Sequence, residues 1–253
     1  MPDIYNRIIP VLLVDRDKRL VKTINFESRI YVGDPFNAVR IFNEKEVDEI
    51  CILDIDATRD NRRPDFAFIE SIASECFMPL SYGGGIKSIK DCNLLNKIGV
   101  EKFILRNSAT NLTFLREIIS IFGSQSLSVS VDYKEKGEFF IRLSDTQILK
   151  ESVISYCKNL ESIGVGEIII QSIDRDGLRT GYDYQMIRNV SEIIHIPLVA
   201  LGGAGAAKHL AEAIRSGASA AASGSAFIFI GNLRSVLINY PNRDEIHDLL
   251  SND

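Results

Sequence analysis

Short runs of apolar, mostly β-branched residues recur along the chain, and each is followed by a longer segment with helical periodicity. Eight runs are predicted to be strands: Ile8–Val14, Ile50–Ile55, Pro79–Tyr82, Phe103–Leu105, Leu127–Val131, Glu167–Gln171, Pro197–Leu201 and Ala218–Ser223. Their largely continuous apolar character is typical of parallel strands buried on both faces. The last run is the weakest prediction because its residues are small rather than β-branched. At 253 residues, this alternation predicts an α/β protein with a single (β/α)8 TIM barrel.

The main alternative to a closed barrel is a doubly wound open sheet. Such sheets that bind dinucleotides carry a G-x-G-x-x-G turn after the first strand. No such turn follows Ile8–Val14, and we therefore favour the barrel.

The chain also repeats itself at a spacing of about 120 residues, which is half of a barrel. Four matches occur in the same order: Pro10–Val14 with Val129–Tyr133, Asp54–Asp56 with Asp174–Asp176, Gly83–Gly85 with Gly202–Ala204, and Asn107–Ala109 with Gly224–Ala226. Chance could produce one match between glycine-rich turns, but four in order favour two half-barrel repeats. We predict half-barrels at approximately 1–122 and 123–240 within one domain, 1–253.

Each half carries a glycine cluster after its third strand and a small polar turn after its fourth. Glycine lets the backbone approach an anion closely, and N–H groups at a helix N-terminus can then bind it. One cluster alone would be interpreted as a turn that needs glycine, whereas two related clusters favour a substrate with a phosphate at each end. The candidate phosphate-binding residues are Gly84, Gly85, Asn107 and Ser108 in the first half, and Gly177, Gly203, Gly205, Gly224 and Ser225 in the second.

Five aspartates lie at or near the C-terminal ends of predicted strands, where barrel enzymes hold their catalytic groups. They are Asp54, Asp56, Asp132, Asp174 and Asp176. We interpret Asp54 and Asp174 as residues that cap helices or hydrogen-bond to turn backbone. Asp132 ends an otherwise uncharged strand and is the strongest candidate for general acid–base catalysis, with Asp176 as the second.

Four charged residues lie just before or at the start of predicted strands: Arg7, Glu49, Lys102 and Glu167. In a barrel these positions face the bottom opening. Isolated charges are costly to bury, so two positive and two negative groups there predict a ring of salt bridges across the floor. Any one of them alone would be interpreted as a solvated residue at a strand entry, but the set suggests a gate or a plug.

Composition excludes several functional classes. The formal net charge is −5 and no basic stretch offsets it, which argues against a nucleic-acid partner. No apolar run is long enough to span a membrane. The four cysteines and three histidines have no metal-ligand spacing, so we expect no metal site, no cofactor and reduced thiols in a cytoplasmic protein.

Taken together, these features resemble the cyclase subunit of imidazole glycerol phosphate synthase, a histidine-biosynthesis family, from Arg7 to about Phe229. The most specific stretches are Lys22–Phe26, Gly33–Pro35, Phe122–Gln125, Ser172–Gly177, Gly181–Asp183 and Gly202–Gly205. The resemblance implies a heterodimer in which a glutaminase subunit docks on the barrel floor and supplies ammonia. It implies that the floor charges form an ammonia gate, that Lys22 lies in a mobile substrate loop, and that ammonia attacks a bisphosphorylated substrate at the top. The expected products are imidazole glycerol phosphate and an aminoimidazole carboxamide ribotide.

Two aspartates carry the cyclisation in that family. The resemblance places one at Asp132 and the other at Leu13, which can neither give nor take a proton. Loss of a positioned acid or base typically costs about 10²–10⁴-fold in rate. Asp15 lies on the same strand face and would substitute only if the strand extended or bulged, which we do not expect. Two smaller departures are Thr23, where the family usually has glycine, and Arg106, a cation that could change what is bound.

Because the floor charges are kept while one acid is lost, we predict a paralogue that delivers ammonia for amidino-sugar synthesis in a surface-polysaccharide (lipopolysaccharide) pathway. The barrel would act as a conduit and docking platform, while a sugar-pathway amidotransferase activates the acceptor. Two alternatives remain open. One is a working histidine-pathway cyclase, and the other is a non-catalytic phosphate-binding scaffold, against which the retained floor charges argue.

Overall fold

The computed structural model describes residues 6–136, 138–142, 148–230 and 235–251. Parts of the predicted ranges 1–253 and 123–240 lie outside these residues. The eight barrel strands are β1 Arg7–Val14, β2 Ile50–Asp54, β3 Leu80–Gly83, β4 Lys102–Leu105, β5 Leu127–Lys136, β6 Glu167–Ser172, β7 Leu198–Leu201 and β8 Ala220–Ser223. The helices are α1 Pro35–Glu44, α2 Phe66–Ala73, α3 Ile89–Lys97, α4 Leu112–Phe122, α5 Val153–Ile163, α6 Tyr184–Ser191, α7 Ala207–Arg215 and α8 Arg243–Ser251.

The strands close into a barrel. Parallel pairing follows the chain from β1 to β6 and on to β8, and β8 pairs with β1 through residues such as Ile9 and Ala222. The predicted TIM barrel is therefore confirmed, and the open-sheet alternative is wrong because no barrel strand among the described residues is left at an edge. The small residues of β8 form a strand despite their weak propensity because they pair on both sides.

Two features of the strands differ from the prediction. First, β5 continues to Lys136 instead of ending at Val131, because its last residues pair antiparallel with the strand Glu138–Arg142. Second, the region around Lys22, expected to be a mobile loop, contains an antiparallel hairpin of Leu20–Ile24 and Ser28–Gly33. The first strand of the hairpin pairs with the end of β1, where Leu13 lies opposite Val21. This pairing places the hairpin beside the barrel rim.

Local sequence explains where the helices begin. Each of α1 to α6 starts after an Asp, Asn or Ser whose side chain accepts a hydrogen bond from a backbone N–H of the first turn. At α3, Ser88 and Asp91 form a reciprocal capping box. None of the helices in the described residues is long and apolar enough to cross a membrane.

The core has two layers. The outer and larger layer lies between the strands and the apolar faces of the helices. The inner layer fills the barrel with Ile9, Val11, Cys51, Ile104, Ile169, Val199, Leu201, Ala220 and Ala222, and Leu13 and Leu53 pack against it at the upper end. This inner layer lies between the floor of the barrel and its rim.

Candidate active site

The four floor charges form a closed ring of ion pairs. Arg7 bonds Glu49 and Glu167 through separate guanidinium nitrogens, each at 2.5 Å. Lys102 Nζ completes the ring, 2.9 Å from Glu49 Oε2 and 3.2 Å from Glu167 Oε2. Ser128 Oγ donates a further hydrogen bond to Glu167 Oε1 at 2.7 Å. The structure thus brings together four residues that the sequence placed at the starts of β1, β2, β4 and β6.

Burial makes this pairing necessary. Glu49 and Glu167 are only 4% and 5% exposed, so an unpaired charge at either position would be costly. Burial by itself would raise the pKa of Glu167, but the charges of Lys102 and Arg7 hold it below its usual value. The ring is neutral overall, and each of its members bonds two of opposite sign.

A cavity of about 170 Å³ connects the ring to the rim. Glu49 and Glu167 line its floor, Arg106 and Asp132 line its upper part, and the apolar inner layer lines the wall between them. The wall is mostly apolar, with Ser81 and Gln171 as polar side chains that also line the cavity.

At the rim, Asp132 is 3% exposed and both of its carboxylate oxygens accept hydrogen bonds. Arg106 Nη1 donates to Oδ2 at 2.9 Å, and Ser130 Oγ donates to Oδ1 at 2.6 Å. Ser130 lies two residues before Asp132 on the same face of β5, and both line the cavity. Sequence analysis missed Ser130, although the period of two along a strand would have found it.

Leu13 lies at the junction of two cavities. It lines the large cavity and also a smaller one of about 20 Å³, and it pairs with Leu53 of β2. Asp132 lines the large cavity as well. A molecule spanning both cavities would therefore pass Leu13, which offers it only an apolar surface.

Asp15 does not take the place of the missing acid. Strand β1 ends at Val14, and Asp15 turns to Arg19, which donates from Nε at 2.9 Å and from Nη2 at 2.8 Å. Backbone N–H groups of Asp17 and Arg19 occupy its other oxygen. The carboxylate therefore holds the turn after β1, in agreement with our expectation that it would not substitute.

The first-half glycine cluster surrounds the wide end of the large cavity. Gly84, Gly85, Asn107 and Ser108 all line it. Gly84 and Gly85 have φ angles of +128° and +70°, and a Cβ at either would come within 2.6 Å of a backbone oxygen. Only glycine fits both positions, because a Cβ would collide with the backbone of Asp54 at Gly84 and of Arg62 at Gly85.

Two arginines that sequence analysis missed flank this cluster. Arg29, from the hairpin, bonds both oxygens of Asp56 at 2.7 Å, and Arg59 bonds Oδ1 at 2.5 Å. Asp56 is fully buried; burial would raise its pKa, but the hydrogen bonds from Arg29 and from the backbone of Arg16 lower it to about 2. One carboxylate thus serves two guanidinium groups, both of which line the cavity. Only the fold could have found this site, because the hairpin brings Arg29 to the end of β2.

The second-half cluster surrounds the small cavity. Gly177, Gly203, Gly224 and Ser225 line it together with Lys22 and Asp176. Gly205 does not line it: its N–H donates to His209 Nδ1 at 3.1 Å, within the start of α7. The structure therefore places the predicted second-half phosphate residues together, except for Gly205.

Lys22 and Asp176 are the charged groups of this second cluster, the first buried and the second half-buried. Lys22 is 2% exposed, its Nζ donates to Val11 O at 2.6 Å, and burial lowers its pKa to about 7. Burial raises the pKa of Asp176 to about 6, although a 2.7 Å hydrogen bond from Thr23 Oγ1 opposes the shift. Thr23 therefore has a specific role here as the donor to Asp176. Perturbed pairs of this kind are typical of functional sites.

Of the two aspartates interpreted as caps, Asp54 accepts from the N–H groups of Asp56 and Ala57 and so holds the turn after β2. Asp174 lies 4.0 Å from Lys134 Nζ. Within the described residues no group of His, Cys, Asp and Glu could hold a metal ion, and the four cysteines are free thiols.

The family model described as histidine biosynthesis protein matches residues 7–233 of the chain. The chain belongs to this family. A Pseudomonas aeruginosa protein, provisionally named imidazole glycerol phosphate synthase subunit hisF2, is 43% identical over 248 residues, 96% of this chain and 98% of that protein. A Leptospira interrogans protein with the provisional name subunit HisF is also 43% identical over 248 residues, 94% of this chain and 96% of its own.

A third relative carries the subunit HisF name without qualification. It is the imidazole glycerol phosphate synthase subunit HisF of Exiguobacterium sibiricum, 36% identical over 227 residues, 88% of this chain and 91% of that protein. The similarity to all three spans nearly the whole barrel. The chain is thus a HisF-like member of the histidine biosynthesis family, as its sequence features suggested.

Proposed function

We propose that this HisF-like chain is the ammonia-channelling subunit of a glutamine amidotransferase. In this proposal it forms a heterodimer with a glutaminase subunit docked on its floor, and it delivers ammonia for amidino-sugar synthesis in a surface-polysaccharide pathway. A sugar-pathway amidotransferase acts as the third component and activates the acceptor. Leu13 carries the proposal, because an apolar side chain occupies the junction of the two cavities while the ion-pair ring beneath them is complete.

The ring and the cavity support passage of ammonia. The ring of Arg7, Glu49, Lys102 and Glu167 closes the floor, and the cavity above it leads to the rim. A neutral ammonia molecule can cross an apolar wall that would exclude ammonium, since burying an unpaired cation is costly. Opening one ion pair of the ring is then the gating step, and docking of the glutaminase is the event that would drive it.

Sequence similarity also supports a paralogue. The chain is 43% identical to the two relatives whose HisF names are provisional and 36% identical to the Exiguobacterium HisF subunit. The four free thiols are in keeping with the reducing cytoplasm as the site of this function.

The alternative is a working cyclase that makes imidazole glycerol phosphate and an aminoimidazole carboxamide ribotide. One observation favours it: Asp132 and Asp176 both lie at the rim, and two glycine clusters are placed to bind a bisphosphorylated substrate. Against it, Leu13 offers no proton at the position where the second aspartate of the family lies.

An ammonia-dependent cyclase assay separates the two functions. The purified chain is supplied with ammonium salt and the bisphosphorylated ribulosyl substrate, beside a family cyclase that has both aspartates. We expect a rate at least about 10²-fold below that of the control cyclase. A Leu13→Asp variant supplies the acid and is compared in the same assay. Leu13→Asn is its matched control, because it changes the shape and polarity of the side chain equally without supplying an acid. A wild-type rate equal to that of the control cyclase overturns the proposal.

Two further measurements test the pathway and the partner. Deletion of the gene is expected to remove amidino groups from the surface polysaccharide and to leave growth without histidine unchanged; histidine auxotrophy would contradict this. The chain is also expected to stimulate ammonia production by its glutaminase partner. Absence of stimulation, together with tight binding of phosphate ligands, would favour the non-catalytic scaffold instead.

A further inference from the structure

Arg106 occupies an unusual position for a cation at a candidate acid–base site. It precedes the short 3-10 turn Asn107–Thr110, and its side chain lines the large cavity, 31% exposed. Its Nη1 donates to Asp132 Oδ2 at 2.9 Å. Within the described residues this is the one hydrogen bond of its guanidinium group, which has five N–H donors in all.

We propose that Arg106 is a specificity-determining residue that binds an anionic oxygen of the ligand, and that Asp132 is the positioning residue that orients it. In this arrangement the carboxylate of Asp132 orients the guanidinium group of Arg106 and does not transfer a proton in the reaction. The ligand group is a phosphate monoester, seated between the guanidinium and the first-half glycine cluster of Gly84, Gly85, Asn107 and Ser108.

The environment of Asp132 supports the positioning role. Both of its oxygens already accept hydrogen bonds, from Arg106 and from Ser130, and its side chain is buried. A general acid would have to carry a proton on one of these oxygens and would give up a charge-assisted hydrogen bond. The opposite position across the junction holds Leu13 and supplies no acid there, while Asp176 lines the small cavity instead.

The surroundings of Arg106 support the anion. Arg29 and Arg59 line the same cavity, and a single carboxylate, that of Asp56, bonds both. Gly84 and Gly85 line the cavity beside these arginines. The first-half site therefore has guanidinium groups from three separate elements, whereas the second-half site has Lys22 as its buried cation. Guanidinium groups are suited to phosphate because two parallel N–H donors can meet two oxygens.

A site-resolved titration tests the proposal. Inorganic phosphate is added to the full-length ¹⁵N-labelled chain, and the amide signals of Gly84 and Gly85 are followed separately from those of Gly203 and Gly224. Arg106→Ala is expected to weaken binding at the first-half site about tenfold, as loss of a charge-assisted bond requires. Binding at the second-half site is expected to stay within about twofold. Unchanged first-half affinity in Arg106→Ala overturns the proposal.

A double-mutant cycle distinguishes positioning from a purely structural role. Asp132→Asn is expected to weaken first-half binding about threefold in the wild-type background and to have no further effect in Arg106→Ala. Independent, additive effects would overturn the positioning role of Asp132. Arg116→Ala, which removes an exposed arginine of α4, is the matched control. If Arg106→Ala does not fold, Arg106→Gln, which keeps a long polar side chain, replaces it.

The inference also predicts what is needed to restore cyclisation, and in this respect it rests on the proposed function. Leu13→Asp alone is expected to gain less cyclase activity than Leu13→Asp combined with Arg106→Asn, by about tenfold, because the second change frees Asp132. Equal gains would contradict the role of Arg106. The phosphate titration needs neither ammonia nor a partner, so its failure is distinct from failure of the proposed conduit.

Discussion

The floor and the rim of this barrel treat their buried charges differently. At the floor, Glu49 and Glu167 each contact two cations, and the ring of four is neutral and closed. At the rim, desolvation raises the pKa of the half-buried Asp176 to about 6 and lowers the pKa of the buried Lys22 to about 7. At the floor the charged groups neutralise one another. At the rim, burial disfavours the charged forms of Lys22 and Asp176.

The resemblance places an aspartate where this chain has Leu13, so by that comparison the rim departs from the family pattern and the floor does not. A closed ring is stable only while all of its members are present, since loss of one leaves another unpaired. The rim has no such constraint, and there Leu13 presents an apolar side chain while Arg106 bonds Asp132. An intact ring beneath this rim is what the proposed ammonia conduit requires.

The largest effect is expected from breaking the floor ring with Glu167→Ala. The change leaves Arg7 and Lys102 facing the single carboxylate of Glu49, and it removes the acceptor of Ser128. We expect the free energy of unfolding to fall by about 3–5 kcal/mol in urea denaturation. The control is Glu117→Ala, an exposed glutamate of α4, expected to change it by less than about 0.5 kcal/mol. A loss below about 1 kcal/mol would mean that the ring is not closed in solution.

At the rim, Asp176→Asn is expected to increase the free energy of unfolding instead of decreasing it. Because burial raises the folded pKa of Asp176 from 3.8 to about 6, the folded protein binds more protons than the unfolded chain between these values. Stability therefore falls as the pH rises through this window, and the variant does not share that loss. We expect the variant to gain about 2–3 kcal/mol over wild type at pH 7.5 and little at pH 4. The exposed Asp248→Asn serves as control; equal stability of wild type and Asp176→Asn at both pH values would contradict the raised pKa.

A smaller effect is expected from restoring an acid with Leu13→Asp. The side chain packs against the apolar inner layer and Leu53, so a carboxylate there should cost about 1–2 kcal/mol of unfolding free energy at pH 8. The cost should shrink at pH 4, where the group is protonated. Leu13→Asn should show the same loss at both pH values. A pH-independent loss in Leu13→Asp would mean that the rim tolerates a carboxylate at this position. The cost of burying a charge would then not explain why the chain has leucine there.

The smallest effect is expected from Gly224→Ala at the second-half site. A Cβ at this position would lie 2.3 Å from Lys22 Nζ, so the ammonium group must move. We expect phosphate affinity at this site to fall about tenfold, or about 1.4 kcal/mol, while the first-half site is unchanged. Titration followed by the amide signal of Gly203 measures this. Lys208→Ala removes an exposed cation of α7 and controls for net charge; a similar decrease in that variant would exclude the specific role of Lys22.

Much of the fold was predictable because continuous apolar runs admit few arrangements. All eight strands were found from such runs, and the charges at their starts had to meet at one end once the barrel closed. The hairpin Leu20–Gly33 was not predicted. Its second strand contains Ile30, Tyr31 and Val32 but is mostly exposed, so it is not one of the buried runs that form the barrel. With it were missed the contacts of Arg29 with Asp56 and of Thr23 with Asp176, which join residues 27 and 153 positions apart.

Residue types and their order were enough to predict the barrel and its two glycine clusters, because a strand needs apolar residues and a tight turn needs glycine. The expectation of an acid at position 13, where this chain has leucine, came from the family resemblance and not from local chemistry. What each charged group does was decided by packing. Asp15 and Asp132 are the same residue type near the ends of barrel strands, yet one holds a turn with Arg19 and the other faces the cavity with Arg106. The partner of a charge is set by which elements the closed barrel brings within a few ångströms, and that depends on the whole fold.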